Sequence, residues 1–369
     1  MKRILGAWLA LTLLLLLTPQ ASTQAAPSIA AGSAYLAEAT TGRFLFAQDE
    51  DVRLPMASTT KVMTALLCIE SGRLDETVAV PDAAVGTEGS SMYLEYGEQI
   101  RLVDLLYGLM LTSGNDAAVA IAITLDGSVE AFAEHMNVRA AELGLHNTNY
   151  CNPNGLHDPS HYTTARDLGV LACFAMQNDT FQKVVGTTYY ETTSGAHVRT
   201  IKNKNRLLWQ YDGGNGVKTG YTMAAGKCLV FAAKRDGMQL CGVVLNCGDM
   251  WNAAKSLLDF GFAQYEMQEQ IDVGEVFFLP VAGGVKKELA ASPKEGILIP
   301  IRKDGTDTVT VRATLFDVVL APVAAGQTVG EMVVTVNDAK YAVPIVATDT
   351  VARVDFQFYL NAVLTLFLQ

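Results

Sequence analysis

Short apolar runs separated by turn residues predict antiparallel strands in two parts of the chain. Residues 33–37 and 43–47 flank a Gly-containing turn and predict a β-hairpin. Residues 227–234 and 240–245 are joined through Asp236 and Gly237, a dipeptide typical of tight hairpin turns. Antiparallel pairing is therefore expected on both sides of a long intervening region.

Helical periodicity dominates that intervening region. Apolar residues fall at helical spacing from Ser58 onward, and a capping signature at Thr163 and Thr164 opens another helix. Further helices, either apolar or amphipathic, are predicted over residues 102–111, 117–124, 129–143 and 249–267. Helices and strands combined in this way predict an α/β domain.

The composition changes near Gln268, where short strand-like runs replace the helices. These runs predict a small β-sandwich and cover residues 276–279, 296–301, 308–315 and 333–336. A mature chain of roughly 340 residues is more than one core usually serves, so two domains are expected. The predicted boundaries are 27–267 for the α/β domain, 268–352 for the β domain and 353–369 for a C-terminal helix.

The last fourteen residues, 356–369, form an amphipathic segment. A polar stripe recurs every four residues, at Gln357, Asn361, Thr365 and Gln369. The opposite face is apolar and consists of Phe356, Tyr359, Leu360, Val363, Leu364 and Phe367. This segment is too short to span a bilayer, which needs about 20 residues, so an interfacial helix on the outer face of the cytoplasmic membrane is expected. The alternative is that the helix packs on the β domain as core.

The first 26 residues have the features of a cleaved secretory signal. Lys2 and Arg3 precede an apolar run over residues 4–17, and small residues follow Pro19. The mature protein is therefore expected to be exported. Removing Lys2 and Arg3 takes the formal charge from -11 to -13, so the chain has no electrostatic reason to bind nucleic acid.

Cysteine and histidine positions do not indicate a metal site or a cofactor. Three disulfides would be possible in an oxidising compartment among the six cysteines Cys68, Cys151, Cys173, Cys228, Cys241 and Cys247. The apolar segments around Cys68, Cys173 and Cys241 are instead typical of buried free thiols. His157 and His161 stand four residues apart with Pro159 between them, which forbids a helical ligand pair. They are interpreted as surface or capping histidines.

Ser58 and Lys61 are a candidate catalytic pair, because the predicted helix places them one turn apart on one face. A serine hydroxyl is a poor nucleophile until a base takes its proton, and an amine at this spacing can reach it. The helix N-terminus also favours charge developing there. By itself, however, this spacing more often reflects a capping serine and a solvated lysine.

Two further polar clusters interrupt apolar segments downstream. Ser113 and Asn115 lie in a tight bend between two apolar helices, where an N-cap would explain one polar residue but not both. Lys218, Thr219 and Gly220 open the second set of strands, after a glycine-rich stretch that lacks phosphate-loop spacing.

These three clusters match, in order, the Ser-x-x-Lys, Ser-x-Asn and Lys-Thr-Gly motifs of penicillin-recognising serine enzymes. The chain resembles the low-molecular-mass penicillin-binding proteins, which are D-alanyl-D-alanine carboxypeptidases. Residues 152–156 and 161–167 add to the resemblance, which covers essentially the whole mature chain. It implies a DD-peptidase-like α/β domain, with an antiparallel sheet and a helical lobe, followed by the small β domain.

The resemblance also implies a role for each residue. Ser58 attacks the penultimate D-alanine carbonyl of a peptidoglycan stem peptide, with Lys61 as base and Ser113 as proton relay, and water then hydrolyses the acyl-enzyme. Substrate binding falls to Asn115, Lys218, Thr219, Gly220 and Tyr221. The backbone N–H groups of Ser58 and Tyr221 are expected to form the oxyanion hole. β-Lactam antibiotics are expected to be covalent inhibitors, and no cofactor is needed.

Two alternatives share these motifs. A class A β-lactamase needs a glutamate-directed water for fast deacylation, but no Glu-x-x-Leu-Asn stretch lies between Asn115 and Lys218. Those enzymes also lack a C-terminal β domain. A non-enzymatic β-lactam sensor would acylate and stay acylated, but such sensors are typically fused to several membrane spans, which this chain does not show beyond its signal.

Overall fold

The computed structural model describes residues 26–367, so the predicted signal lies outside the described residues apart from Ala26. The first part of the chain contains nine strands: β1 (Ala31–Glu38), β2 (Phe44–Gln48), β3 (Thr77–Ala79), β4 (Gln99–Arg101), β5 (Tyr189–Glu191), β6 (Thr200–Lys202), β7 (Gly214–Thr222), β8 (Gly226–Arg235) and β9 (Met238–Cys247). Five of them form an antiparallel sheet in the order β2-β1-β9-β8-β7.

In the part of the chain that the structure describes, eight α-helices accompany these strands: α1 (Lys61–Glu70), α2 (Leu102–Tyr107), α3 (Asn115–Asp126), α4 (Val129–Glu142), α5 (Ala165–Ala175), α6 (Asp179–Gly186), α7 (Leu207–Gln210) and α8 (Met250–Gln264). One face of the sheet packs on a helical lobe through α5, and the other face is covered by α8. This arrangement confirms the predicted α/β domain with its antiparallel sheet and helical lobe.

The local signals in the sequence account for several element ends. Both Asp236 and Gly237 adopt positive φ, as the tight turn between β8 and β9 requires. The Thr164 hydroxyl accepts a hydrogen bond from the Asp167 N–H at 3.1 Å, which caps α5 as predicted. The predicted helix over 102–111 differs, because α2 ends at Tyr107 and the chain continues as a wider π-helical turn over Gly108–Thr112.

The second part of the chain is a β domain with its own hydrophobic core. Its eight strands are β10 (Tyr265–Ile271), β11 (Phe277–Ala282), β12 (Glu288–Pro293), β13 (Ile297–Arg302), β14 (Val309–Leu315), β15 (Val319–Leu320), β16 (Thr328–Val336) and β17 (Ala339–Ala347). β10 pairs with β13, and the other six form one sheet. The composition change therefore marked a real change of architecture.

The C-terminal helix, α9 (Phe356–Phe367), begins at the residue predicted from the apolar pattern. Its apolar side chains Phe356, Tyr359, Val363 and Leu364 are 78%, 62%, 48% and 49% exposed. These side chains are therefore not part of the β-domain core. Within residues 26–367, no helix has the length and apolar character needed to cross a membrane.

Candidate active site

The chain turns sharply at Ser58, immediately before α1 begins. Residues Ala57–Thr60 form a 3-10 turn, and Lys61 is the first residue of the α-helix. Ala57 has φ 48, a left-handed conformation that is unusual for a residue with a side chain and is typical of functional sites. The turn leaves Ser58 partly exposed while its neighbours Ala57 and Thr59 are buried.

Lys61 is fully buried beneath this turn and makes three polar contacts. Its Nζ atom lies 3.0 Å from Ser58 Oγ, 2.6 Å from the Asn115 Oδ1 and 2.6 Å from the Asn154 carbonyl oxygen. The two carbonyl oxygens accept the two N–H bonds of a neutral amine, which leaves its lone pair facing the Ser58 hydroxyl. Burial, and then the nearby cations Lys218 and Lys204, hold the pKa of Lys61 well below its ordinary value.

The Asn154 carbonyl comes from a loop that packs directly on the turn at Ala57–Thr60. Asn152 Oδ1 accepts the N–H of Gly155 at 2.7 Å, which folds the loop tightly. Gly155 has φ 87, and a Cβ there would lie 2.0 Å from the Ala57 carbonyl oxygen. Only glycine fits this close approach.

The bend predicted at Ser113 and Asn115 contacts Lys61 through the Asn115 side chain. Ser113 has φ 67 and ends the π-helical turn, and Asn115 starts α3. Both ends of the Asn115 amide are occupied, because Oδ1 accepts from Lys61 and Nδ2 donates to the Glu88 carbonyl. In this structure Asn115 therefore holds the Lys61 amine in place, and its expected contact with substrate stays a prediction.

The neighbouring Asp116 holds a loop over the site. Its carboxylate accepts hydrogen bonds from the Ser91 hydroxyl at 2.6 Å and from the N–H groups of Met92 and Leu94. The loop also places the Ser90 carbonyl 2.7 Å from the Asn115 N–H.

Strand β7 borders the site on the side of Lys218, Thr219 and Gly220. Lys218 is buried, and its Nζ donates to the Thr219 carbonyl at 2.9 Å. A Cβ on Gly220 would lie 3.1 Å from the Ser58 nitrogen, so glycine lets the strand pass beside the backbone of Ser58. Burial, together with the charge of Lys204, lowers the pKa of Lys218 to about 7.

A cavity of about 600 Å³ opens beside Ser58. Two cations that were not assigned to the site from the sequence, Lys204 and Arg206, line this cavity. They lie there with five of the predicted site residues: Ser58, Ser113, Thr219, Gly220 and Tyr221. Lys204 Nζ donates to the Ser90 hydroxyl at 3.1 Å. The sequence signal for these cations was weak, because the stretch before the glycine-rich segment carries several basic residues without a characteristic spacing.

His161 corrects one prediction. It was interpreted as a surface or capping histidine, but it is 3% exposed and both ring nitrogens are hydrogen-bonded, to Thr60 and to the Cys151 N–H. His157 is exposed, as expected. All six cysteines lie in the described region and are free thiols.

Comparisons with known proteins agree with this arrangement. Residues 20–248 match the family described as D-alanyl-D-alanine carboxypeptidase, and residues 265–353 match the penicillin-binding protein 5, C-terminal domain. D-alanyl-D-alanine carboxypeptidase DacF of Bacillus subtilis (strain 168) is 32% identical over 98% of this chain and 97% of its own length. The D-alanyl-D-alanine carboxypeptidase of Streptomyces sp. (strain K15) is 38% identical over 64% of this chain and 89% of its own. The crystal structure of penicillin binding protein 5 from Haemophilus influenzae superposes with a TM-score of 0.75 at 29% identity, covering 89% of this chain and 99% of that one.

Proposed function

The chain belongs to the D-alanyl-D-alanine carboxypeptidase family, and we propose that it removes the terminal D-alanine from peptidoglycan stem peptides through an acyl-enzyme on Ser58. The observation that carries this assignment is the buried Lys61 amine, 3.0 Å from Ser58 Oγ, with its two other contacts on carbonyl oxygens. A neutral amine in this setting can accept the serine proton.

Acylation begins when Ser58 Oγ attacks the carbonyl carbon of the penultimate D-alanine and its proton passes to Lys61. The ammonium that forms donates to Ser58 Oγ, Asn115 Oδ1 and the Asn154 carbonyl. These three acceptors stabilise its positive charge without any rearrangement of the site. The substrate oxygen becomes an oxyanion, which the N–H groups of Ser58 and Tyr221 stabilise. Each such donor contributes roughly 3 kcal/mol in the transition state.

Ser113 then donates its hydroxyl proton to the leaving nitrogen and takes the proton that Lys61 received from Ser58. The C–N bond breaks, D-alanine departs and Lys61 is neutral again. The D-alanine carboxylate is met by Thr219 and Lys204, which line the cavity, and by Lys218, which is buried next to them and donates to the Thr219 carbonyl. A water molecule, deprotonated by Lys61, adds to the acyl carbonyl and releases the shortened peptide with Ser58 restored. β-Lactams enter the same acylation step, but their leaving nitrogen remains tethered.

The test is to incubate the purified mature chain with a peptide ending in D-Ala-D-Ala and to measure free D-alanine. The same protein is labelled with a fluorescent penicillin. We expect D-alanine release and labelling in the wild type, and neither in Ser58→Ala, with a nearly unchanged thermal melt. Labelling without D-alanine release would instead favour a β-lactam sensor, and a mutant that still labels would contradict the role of Ser58.

We further infer that the enzyme acts at the cell wall as an exported, peripheral protein held by α9. The support is the exposed apolar face of this helix together with its uncharged polar stripe. Large side chains contribute about 1.5–3 kcal/mol each when fully buried, so five or six half-buried ones suffice for a weak anchor. The functional units would then be a catalytic domain over 27–267, a β domain over 268–352 and an anchor over 353–369.

A further inference from the structure

His161 and Thr60 lie directly behind the nucleophile turn, and neither has a role in the reaction described above. Both are buried, at 3% and 0% exposure. His161 Nε2 lies 2.7 Å from Thr60 Oγ1, and Thr60 Oγ1 donates to the Ala57 carbonyl oxygen at 2.8 Å. Three consecutive groups therefore form a continuous hydrogen-bonded chain.

The direction of this chain follows from its far end. The Cys151 N–H donates to His161 Nδ1 at 3.0 Å, so Nδ1 carries no proton in the neutral ring. The ring proton must then be on Nε2, where it is donated to Thr60 Oγ1. Thr60 Oγ1 accepts from the ring and gives its own proton to the Ala57 carbonyl. Burial keeps the ring neutral at ordinary pH, since it lowers the pKa of His161 to about 4.

The Ala57 carbonyl belongs to the same peptide group as the Ser58 N–H. Amide resonance couples the two ends of a peptide group, so a hydrogen bond to the oxygen makes the N–H a stronger donor. Successive donors in a chain polarise one another further, and the effect is greater in a buried environment. Gly155 closes the other side of this carbonyl, which leaves the peptide little freedom to rotate.

We propose that His161 and Thr60 are positioning residues that orient and polarise the Ser58 N–H for the oxyanion. This inference rests on the proposed function, in which that N–H is an oxyanion donor. The hydrogen-bonded series from His161 through Thr60 to the Ala57 carbonyl strengthens the Ser58 N–H as a donor before substrate arrives, because the fold holds all three groups. It accounts for a buried histidine beside a nucleophile that it does not touch.

The test uses Thr60→Val, which keeps the side-chain shape and removes the hydroxyl, and Thr60→Ser, which keeps the hydroxyl. His161→Leu removes the first donor. The acylation rate constant with a penicillin should fall about ten- to a hundredfold in Thr60→Val, less than the loss from deleting a whole donor. It should fall less in His161→Leu and stay within about threefold of wild type in Thr60→Ser.

The decisive readout is the infrared stretching frequency of the acyl-enzyme carbonyl, which rises as hydrogen bonding to its oxygen weakens. We expect a higher frequency in Thr60→Val and His161→Leu. Thr64→Val is the matched control, because Thr64 is equally buried one turn along and donates to the Pro153 carbonyl at 2.6 Å. It should lower the thermal melt while leaving the acyl carbonyl at the wild-type frequency.

A second measurement needs no variant. ¹⁵N NMR of the histidine ring in the wild-type protein should show Nε2 protonated and Nδ1 unprotonated at neutral pH. The opposite tautomer, or a wild-type acyl carbonyl frequency retained in folded Thr60→Val, would overturn this inference alone. Absence of Ser58 acylation in the wild type would instead overturn the proposed function.

Discussion

Arg43 on the turn before β2 and Asp307 in the β domain form an ion pair of 2.7 Å whose side chains are only 9% and 2% exposed. Arg43 also donates to the Pro300 carbonyl, and the Asp307 carboxylate accepts from the Arg302 N–H and from Asn337. Burial raises the pKa of the Asp307 carboxyl, but these hydrogen bonds outweigh it and lower the pKa overall. The pair joins the two domains in one hydrogen-bonded network.

Asp307→Asn should therefore destabilise the domain junction. It leaves the Arg43 cation buried without a counter-charge, which costs about 3–5 kcal/mol in comparable sites. Faster proteolysis near residues 264–268 and a lower melting temperature are expected, with D-alanine release retained at low temperature. The exposed pair of Lys286 and Asp349 provides the control, since Asp349→Asn should change stability by less than about 1 kcal/mol. Equal effects of both substitutions would show that the buried pair has no special role.

The two active-site lysines should respond differently to arginine. Lys61→Arg should abolish acylation, because a guanidinium stays charged and cannot accept the Ser58 proton. Lys218→Arg should retain part of the activity, since a cation is what the substrate carboxylate requires. Penicillin labelling of both variants measures the difference. Equal loss would contradict this division of roles.

The pKa of about 7 at Lys218 predicts that kcat/KM falls above pH 7. The free enzyme then loses the proton on Lys218, and with it the charge that attracts the substrate carboxylate, so KM should rise by up to about tenfold per pH unit. At lower pH, protonation of Lys61 removes the base, so activity should also fall there. Lys218→Arg should shift or remove only the alkaline limb. An alkaline limb that is identical in this variant would assign it to another group.

His161 should make the fold sensitive to mild acid. Its pKa is about 4 in the folded protein, against an ordinary value of 6.5. Between these pH values the imidazole is therefore protonated in the unfolded chain and neutral in the folded one. Stability is therefore complete above pH 6.5 and is lost progressively as the pH falls toward 4, by up to roughly 3 kcal/mol. Melting temperatures of wild type and His161→Gln across this range should converge at low pH. Curves that stay parallel would exclude His161 as the cause.

Deleting residues 356–369 should move the protein from the membrane fraction to the soluble fraction with carboxypeptidase activity intact. In the proposal the apolar face of α9 is the attachment, so Leu360→Asp combined with Leu364→Asp should have the same effect. Binding of the intact protein should depend little on salt, because the polar stripe carries no charge. A truncated protein that remains with membranes, or that unfolds, would contradict the anchor.

The sequence by itself determined the elements whose signals are local. The Asp236-Gly237 turn, the Thr164 cap and the start of the last helix all depend on a few neighbouring residues. The change to β structure was expected near Gln268 and occurs at Tyr265. The pairing of Ser58 with Lys61 was predictable for the same reason, since a helical turn places them side by side. The change from α-helix to a π-helical turn after Tyr107 was not predictable, because the apolar pattern is uniform there and tertiary packing can override such a local signal.

Only the tertiary structure decided which distant residues meet around Thr60 and Lys61. The Asn154 carbonyl reaches Lys61 from a loop 93 residues away, and His161 reaches Thr60 across 101 residues. A backbone carbonyl leaves no mark in the sequence, and a buried histidine looks the same there as an exposed one. Which loops converge depends on how the helical lobe packs against the sheet, and that packing is a property of the whole chain. The lowered pKa values of Lys61 and Lys218 have the same origin, because burial by the folded chain is their largest cause.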